Sequence, residues 1–265
     1  MSPFSVVAII NQKGGVGKTT TAINMSACLG YLGFKTLLVD ADPQSNSTIS
    51  FGLNPETLTN TFYSFVFGKS SLSDTIIKTQ FSGLYILPTN TDLYSADIEL
   101  ENMDNVNYSV IHEKMKQEIT DFDFVIFDSP PHIGPLTKNL MRACDTLIVP
   151  MKTDFMALQG IAIMINNLKE IQKNINPKIN LEGILLTMYN SGTKLCKEVE
   201  ADVKRVMGNM VFETIITHNI TLAEAPSHGQ PIIYYNAKST GSENYKLFTA
   251  EFLRRMKISK REFGL

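Results

Sequence analysis

Cysteine is scarce, with Cys28, Cys144 and Cys196 the only three in 265 residues. They are widely spaced and odd in number. That excludes a disulfide framework and a cysteine metal knuckle, and it reads as buried reduced thiols in a cytoplasmic protein. An excess of one charge is also lacking: 24 Lys and Arg stand against 26 Asp and Glu, a net charge of -2. The chain as a whole therefore exerts no long-range pull on nucleic acid, and any such contact needs a local basic patch. No apolar run approaches the roughly 20 residues that span a bilayer. The start shows no signal-peptide pattern, because the apolar run at 6–10 leads straight into a glycine loop. Repeats, low-complexity stretches and long Pro/Gly/Ser linkers are missing, so 1–265 reads as one domain. Its 43% hydrophobic content is that of a globular chain with a sizeable core.

What is present is a succession of short apolar runs, at 6–10, 36–39, 84–87, 124–127, 146–149 and 183–186. Such runs belong to parallel strands whose two faces are both covered by helices. Between them, apolar residues recur at three and four over 19–32 (stopped by Gly33), 136–143, 157–174 and 195–207, which is the helical spacing. The alternation predicts an α/β fold, a doubly wound and mostly parallel sheet with right-handed crossovers. Ligands of such sheets sit at the carboxyl ends of the strands. Three polar segments fall there, at 11–20, 40–46 and 128–131.

The first segment contains Lys13-Gly14-Gly15-Val16-Gly17-Lys18-Thr19-Thr20, after a strand and at the start of a helix. Gly14, Gly15 and Gly17 let the backbone curl so that its N–H groups point at phosphate oxygens. The helix adds its positive end. The spacing assigns Lys18 to the β- and γ-phosphates of ATP, the Thr19 hydroxyl to Mg²⁺ and Thr20 to the α-phosphate. Glycine is usual at position 12, but this chain has Gln12 followed by a second lysine, Lys13. That lysine is either solvated or has an anion to meet. Asp40 and Asp42, one residue apart on an extended segment, face the same side. Their repulsion calls for a cation or water between them, unless they only form an Asx-turn before Pro43. Asp128 ends the apolar run at 124–127, the place from which a Walker B acid holds Mg²⁺ through water.

The loop from Lys13 to Thr20 resembles the deviant Walker A motif of the ParA/MinD ATPases, and the resemblance runs along nearly the whole chain. It implies that Lys13 crosses a dimer interface to the phosphates of the partner's ATP. It also implies that Asp42 orients the attacking water and that Asp40 supports the Mg²⁺ shell. Asp42-Pro43-Gln44-Ser45-Asn46, Asp128-Ser129-Pro130-Pro131 with Gly134-Pro135-Leu136, and the segment from Leu222 to Gly229 are similar to the ParA/Soj branch. Ser45 stands where that branch usually has glycine. The loop around Thr217 and Asn219 is implied to hold adenine; Asn219 matches the family, and Thr217 replaces the usual proline.

That branch implies a partition ATPase, in which an ATP-dependent homodimer binds DNA without sequence preference. A ParB-like partner then stimulates hydrolysis and release, and the protein is cytoplasmic and nucleoid-associated. His218 and Thr221 occupy places where arginine is usual. The remaining basic candidates are Lys194, Lys197, Lys204 and Arg205 on one predicted helix, and Arg254, Arg255, Lys257, Lys260 and Arg261 in the tail. Each can equally be a solvated face. A MinD-like membrane ATPase would need an amphipathic tail helix. The tail at 252–263 has a poor apolar face, with Phe252, Leu253 and Met256 expected to pack on the domain, so no stable membrane association is expected. An iron–sulphur reductase sharing the loop needs cysteine ligands, and neither Cys28 nor Cys144 has a companion. An ATPase that positions a non-DNA cargo differs in its partner and not in its site, so that alternative stays open.

Overall fold

The computed structural model describes residues 5–103 and 108–258. In chain order its elements are β1 (Ser5–Ile9), α1 (Lys18–Tyr31), β2 (Thr36–Asp40), α2 (Asn46–Ser50), α3 (Phe62–Val66), α4 (Leu72–Thr75), β3 (Ile77–Lys78), β4 (Leu84–Leu87), α5 (Ala96–Asn102), α6 (Val110–Glu118), β5 (Phe124–Asp128), α7 (Pro135–Ala143), β6 (Thr146–Lys152), α8 (Ala157–Asn174), β7 (Asn180–Thr187), α9 (Lys194–Met207), α10 (Ile220–Glu224), α11 (Ile232–Tyr235) and α12 (Thr240–Arg255). The strands form one sheet in the order β3-β4-β2-β5-β1-β6-β7. All neighbours run parallel except β3 against β4. The doubly wound, mostly parallel sheet is thus the one that the apolar runs predict.

Alternate residues of each central strand enter different cores, as the twofold side-chain period of a strand requires. Val6, Ala8, Leu37, Val39, Val125 and Phe127 pack with Phe62, Ile111, Leu140, Ile161 and Val199, from helices on one face. Val7, Ile9, Leu38, Phe124 and Ile126 pack with Met25, Tyr245, Phe248 and Phe252, from α1 and α12 on the other. Burial on both faces is why these strands read as continuous apolar runs. Phe252 is buried, and Leu253 and Met256 pack against the same core, as expected of the tail. Lys260 and Arg261 lie outside the described residues.

One boundary and one extra strand differ from the expectation in an informative way. The run at 146–149 continues through Pro150 to Lys152. The missing N–H of Pro150 is tolerated because β1 pairs with β6 only as far as Ile148, whereas β7 pairs as far as Lys152. The two-residue edge strand β3 is too short to leave a sequence pattern.

β1 lies between β5 and β6, where the chain changes direction across the sheet. The crevice outside such a switch point is the ligand site of open α/β sheets. The loop from Asn11 to Gly17 emerges there, and α1 leads away from it over β2, β4 and β5. The helix passes so close to the loop before β4 that a Cβ on Gly30 would stand 2.3 Å from the Ser82 carbonyl oxygen. In an exposed helix Gly→Ala stabilises by about 1 kcal/mol. Here the collision dominates, and Gly30→Ala is expected to lower stability by about 1–3 kcal/mol in urea denaturation. An unchanged or raised midpoint would contradict the close approach.

Candidate functional site

The phosphate loop is shaped by its glycines and held from outside. Gly15 and Gly17 have φ of 68° and 88°, the left-handed region that glycine enters without strain. Asn11 Nδ2 donates to the Pro150 carbonyl at 2.7 Å, and Asn11 Oδ1 accepts the Lys13 N–H at 3.0 Å. On the other side, the Thr187 hydroxyl donates to the Val16 carbonyl at 2.8 Å. Gly17 precedes α1, and its carbonyl accepts the Thr21 N–H at 2.9 Å, so the first amides of the helix border the loop. Lys18 is 7% exposed, and its Nζ donates to the Lys13 carbonyl at 3.4 Å, the long end of hydrogen bonding. Burial pushes its pKa down against the pull of Asp128 and Asp42.

The carboxylates meet this loop because the strands are in register. Asp40 on β2 stands opposite Asp128 on β5, and Asp128 stands opposite Ile9 on β1. Both acids are fully buried. Helix α2 serves both: Thr48 donates to Asp40 Oδ2 from its N–H at 2.7 Å and from its hydroxyl at 2.6 Å, and Ser47 Oγ donates to Asp128 Oδ2 at 2.8 Å. Burial pushes the Asp40 carboxyl up, and the Asp128 charge adds to this against the bonds from Thr48. Burial also raises Asp128, opposed by the Thr19 and Ser47 hydroxyls and by Lys18. Asp42 Oδ1 accepts the Gln44 N–H at 3.0 Å, so the Asx-turn is formed. The same carboxylate is also near enough to act on Lys18 and Asp128. Ser45 holds φ at 56°, the left-handed backbone that explains glycine as the usual residue there.

Ser47 and Thr48 were not singled out by sequence reasoning. The signal was the polar run Ser45-Asn46-Ser47-Thr48, which starts three residues after Asp42. Asp154 was also missed. Its Oδ2 receives Lys13 Nζ at 2.5 Å, and its Oδ1 accepts the Met156 N–H at 3.1 Å. Lys13 thus has an anion to meet within its own chain, and its side chain remains 47% exposed.

The site fits a cation paired with a phosphate chain. Asp128 Oδ1 and Ser129 Oγ are buried with no hydrogen-bond partner, next to a buried ammonium. Among the described residues no three His, Cys, Asp or Glu side chains converge as a metal cage. A bound ion would therefore keep water and phosphate ligands, the habit of Mg²⁺. Thr19 and Asp128 would be the residues to hold it.

Beside the loop, Gly17, Thr20, Met188, Thr217, Asn219 and Tyr245 help to line a cavity of about 160 Å³. Asn219 Oδ1 accepts the Thr221 N–H at 2.9 Å and so caps α10. Thr217 donates its N–H and its hydroxyl to Asn244 Oδ1, at 3.1 and 2.9 Å. A proline at 217 could make neither bond, so this chain anchors its loop to α12 by other means.

The basic candidates are dispersed and mostly engaged. Lys194 pairs with Glu198, Lys204 with Glu200, Arg205 with Asp202 and Arg254 with Glu213. Lys197 is exposed and has no ion pair among the described residues. Arg255 bonds Glu251 and the carbonyls of Asn209 and Val211 and lies over the Phe212 ring, so its guanidinium has a structural task.

Among known proteins, the AAA domain family matches residues 4–181. The chromosome partitioning protein ParA of Myxococcus xanthus is 36% identical over 94% of this chain and 88% of that protein. The sporulation initiation inhibitor protein Soj of Bacillus subtilis is 37% identical, covering 91% of this chain and 94% of that protein. A structure of cobyrinic acid a,c-diamide synthase from Mycobacterium smegmatis, with bound ADP and magnesium, superposes with a TM-score of 0.84 at 31% identity over 96% of each chain. The buried lysine among carboxylates and these likenesses agree: the chain belongs to the ParA/Soj branch of the ParA/MinD family and is a partition ATPase that works with ATP and Mg²⁺.

Proposed function

We propose that this ATPase, a single domain over 1–265, cycles between a monomer and an ATP-closed dimer that holds DNA during segregation. The observation that carries the reading is the placement of Lys13. It sits in the same loop as Lys18, yet its ammonium points away from the loop to Asp154 at the surface. Next to Asp154, Phe155 is 84% exposed and Met156 is also exposed. A cation beside an exposed apolar patch suits the face of a second copy. There Lys13 would exchange Asp154 for the phosphates of the partner's ATP.

Within each subunit, Lys18 and the loop amides bind the β- and γ-phosphates, Thr20 meets the α-phosphate, and Thr217 and Asn219 border the base. Thr19 and Asp128, with Asp40 behind them, would hold Mg²⁺, which would supply positive charge against the phosphate oxygens. Asp42 aligns the attacking water, since phosphoryl transfer asks mainly for positioning and charge. ATP shifts the population toward the dimer only through its higher affinity for that state. A ParB-like partner would reset the cycle by stimulating hydrolysis, and DNA contact would place the protein on the nucleoid.

DNA contact would use Lys194, Lys197, Lys204, Arg205 and Arg254. The exposed ion pairs of Lys194, Lys204, Arg205 and Arg254 contribute only about 0–1 kcal/mol each, so a DNA phosphate can replace the acid. Arg255 keeps its carbonyl partners.

Two variants separate the roles. Lys13→Ala is expected to bind ATP but stay monomeric in light scattering, whereas Asp42→Ala dimerises on ATP and releases no phosphate. ATP-dependent dimers of the first variant, or undiminished turnover in the second, would refute the assignment. With ATP at low salt, filter binding should retain duplex DNA of any sequence, and retention should fade as salt rises. No retention at low salt would remove DNA from the reading.

A further inference from the structure

The strand end Thr187-Met188-Tyr189 joins the two halves of the nucleotide site. Thr187, 2% exposed, holds the phosphate loop through its 2.8 Å bond to the Val16 carbonyl, and Gly17 lies against its methyl group at a spacing that a Cβ would bring to 3.9 Å. Two residues later the backbone of Tyr189 holds the base loop: its N–H donates to the Ile216 carbonyl at 3.1 Å, and its carbonyl accepts the His218 N–H at 2.9 Å. Between these attachments Met188 has φ of 50°. A methionine in the left-handed region is uncommon, and such strain persists only where its surroundings enforce it. Met188 also lines the cavity beside Thr20 and Asn219.

We propose that Thr187 and Met188 are positioning residues, forming a strap that ties occupancy of the base cavity to the shape of the phosphate loop. The proposal rests on the reading of that cavity as the base site. Thr187 keeps the Val16 carbonyl turned outward, so that the amides of the loop stay turned toward the phosphates. Met188 sets the length of the link, because its left-handed turn shortens the path between the two loops. The nucleotide base then reinforces the grip on the phosphates without touching them, as pre-organised positioning does.

The test compares Mg²⁺–ATP with Mg²⁺–tripolyphosphate by calorimetry and steady-state hydrolysis. Thr187→Val is expected to raise the KM for ATP about fivefold to tenfold, with Thr187→Ser within about twofold of the parent because it keeps the hydroxyl. Met188→Gly should keep its tripolyphosphate affinity and lose about tenfold of its preference for ATP over tripolyphosphate, because glycine lets the strap slacken. Asn219→Ala tests the base cavity itself. If Asn219→Ala lowers the preference and Met188→Gly does not, the strap is refuted and the base site stands. If Asn219→Ala leaves the preference unchanged, the base site and the strap both fall. A Thr187→Val protein that melts lower but keeps the parent KM and kcat would make Thr187 merely structural and overturn its role.

Discussion

Two buried carboxylates, side by side at the ends of neighbouring strands, set the terms for this site. Asp40 and Asp128 are opposite one another in the β2–β5 register and have no exposed surface. Burying charge without full compensation is costly, and here like charges are adjacent. Above their raised pKa values both acids are ionised in the fold, which then carries the whole penalty. Lys18 offsets part of it. The hydroxyls of Ser47 and Thr48 offset more, which is why α2 must start directly after the turn at Asp42–Ser45. One oxygen of Asp128 is still left without a donor. A bound magnesium–nucleotide complex would supply the partner that this oxygen lacks.

The same logic explains how the phosphate loop is held. Three of its residues are glycines with no side chain to pack, so much of its shape comes from its neighbours. Asn11 fastens one side to β6 and Thr187 fastens the other to β7. Both strands stand next to β1 or one place beyond it, so the switch point of the sheet supplies the clamp as well as the crevice. The C-terminal segment joins the arrangement through α12. Asn244 anchors Thr217 there, and Tyr245 shares a hydroxyl contact with Thr21 of α1 at 3.2 Å.

Much of this was legible in the residues. The central strands were continuous apolar runs because both of their faces are covered, and the loop announced itself by glycines flanking a lysine. What stayed hidden depends on pairing across long sequence separations. The reach of Lys13 to Asp154, of Thr187 to Val16 and of Thr217 to Asn244 spans 141, 171 and 27 residues. No local pattern marks such partners. Ser47 and Thr48 stood close to the acids, but a run of Ser, Asn and Thr commonly signals only a cap or a turn. Departures from the family were informative once placed: Ser45 carries the left-handed backbone, and Thr217 replaces a rigid proline with two hydrogen bonds.

The most direct test of the buried-charge account is the thermal stability of Asp128→Asn with and without Mg²⁺–ADP. Above about pH 8, where Asp40 as well as Asp128 is ionised, removing one of the two adjacent charges should raise the melting temperature of the nucleotide-free protein by about 2–4 °C, the equivalent of about 1 kcal/mol in a chain of this size. It should also abolish the magnesium-dependent part of the stabilisation by ADP. A variant that melts lower than the parent without nucleotide, and still gains the full magnesium-dependent shift, would contradict the claim that this carboxylate is held ready for the metal.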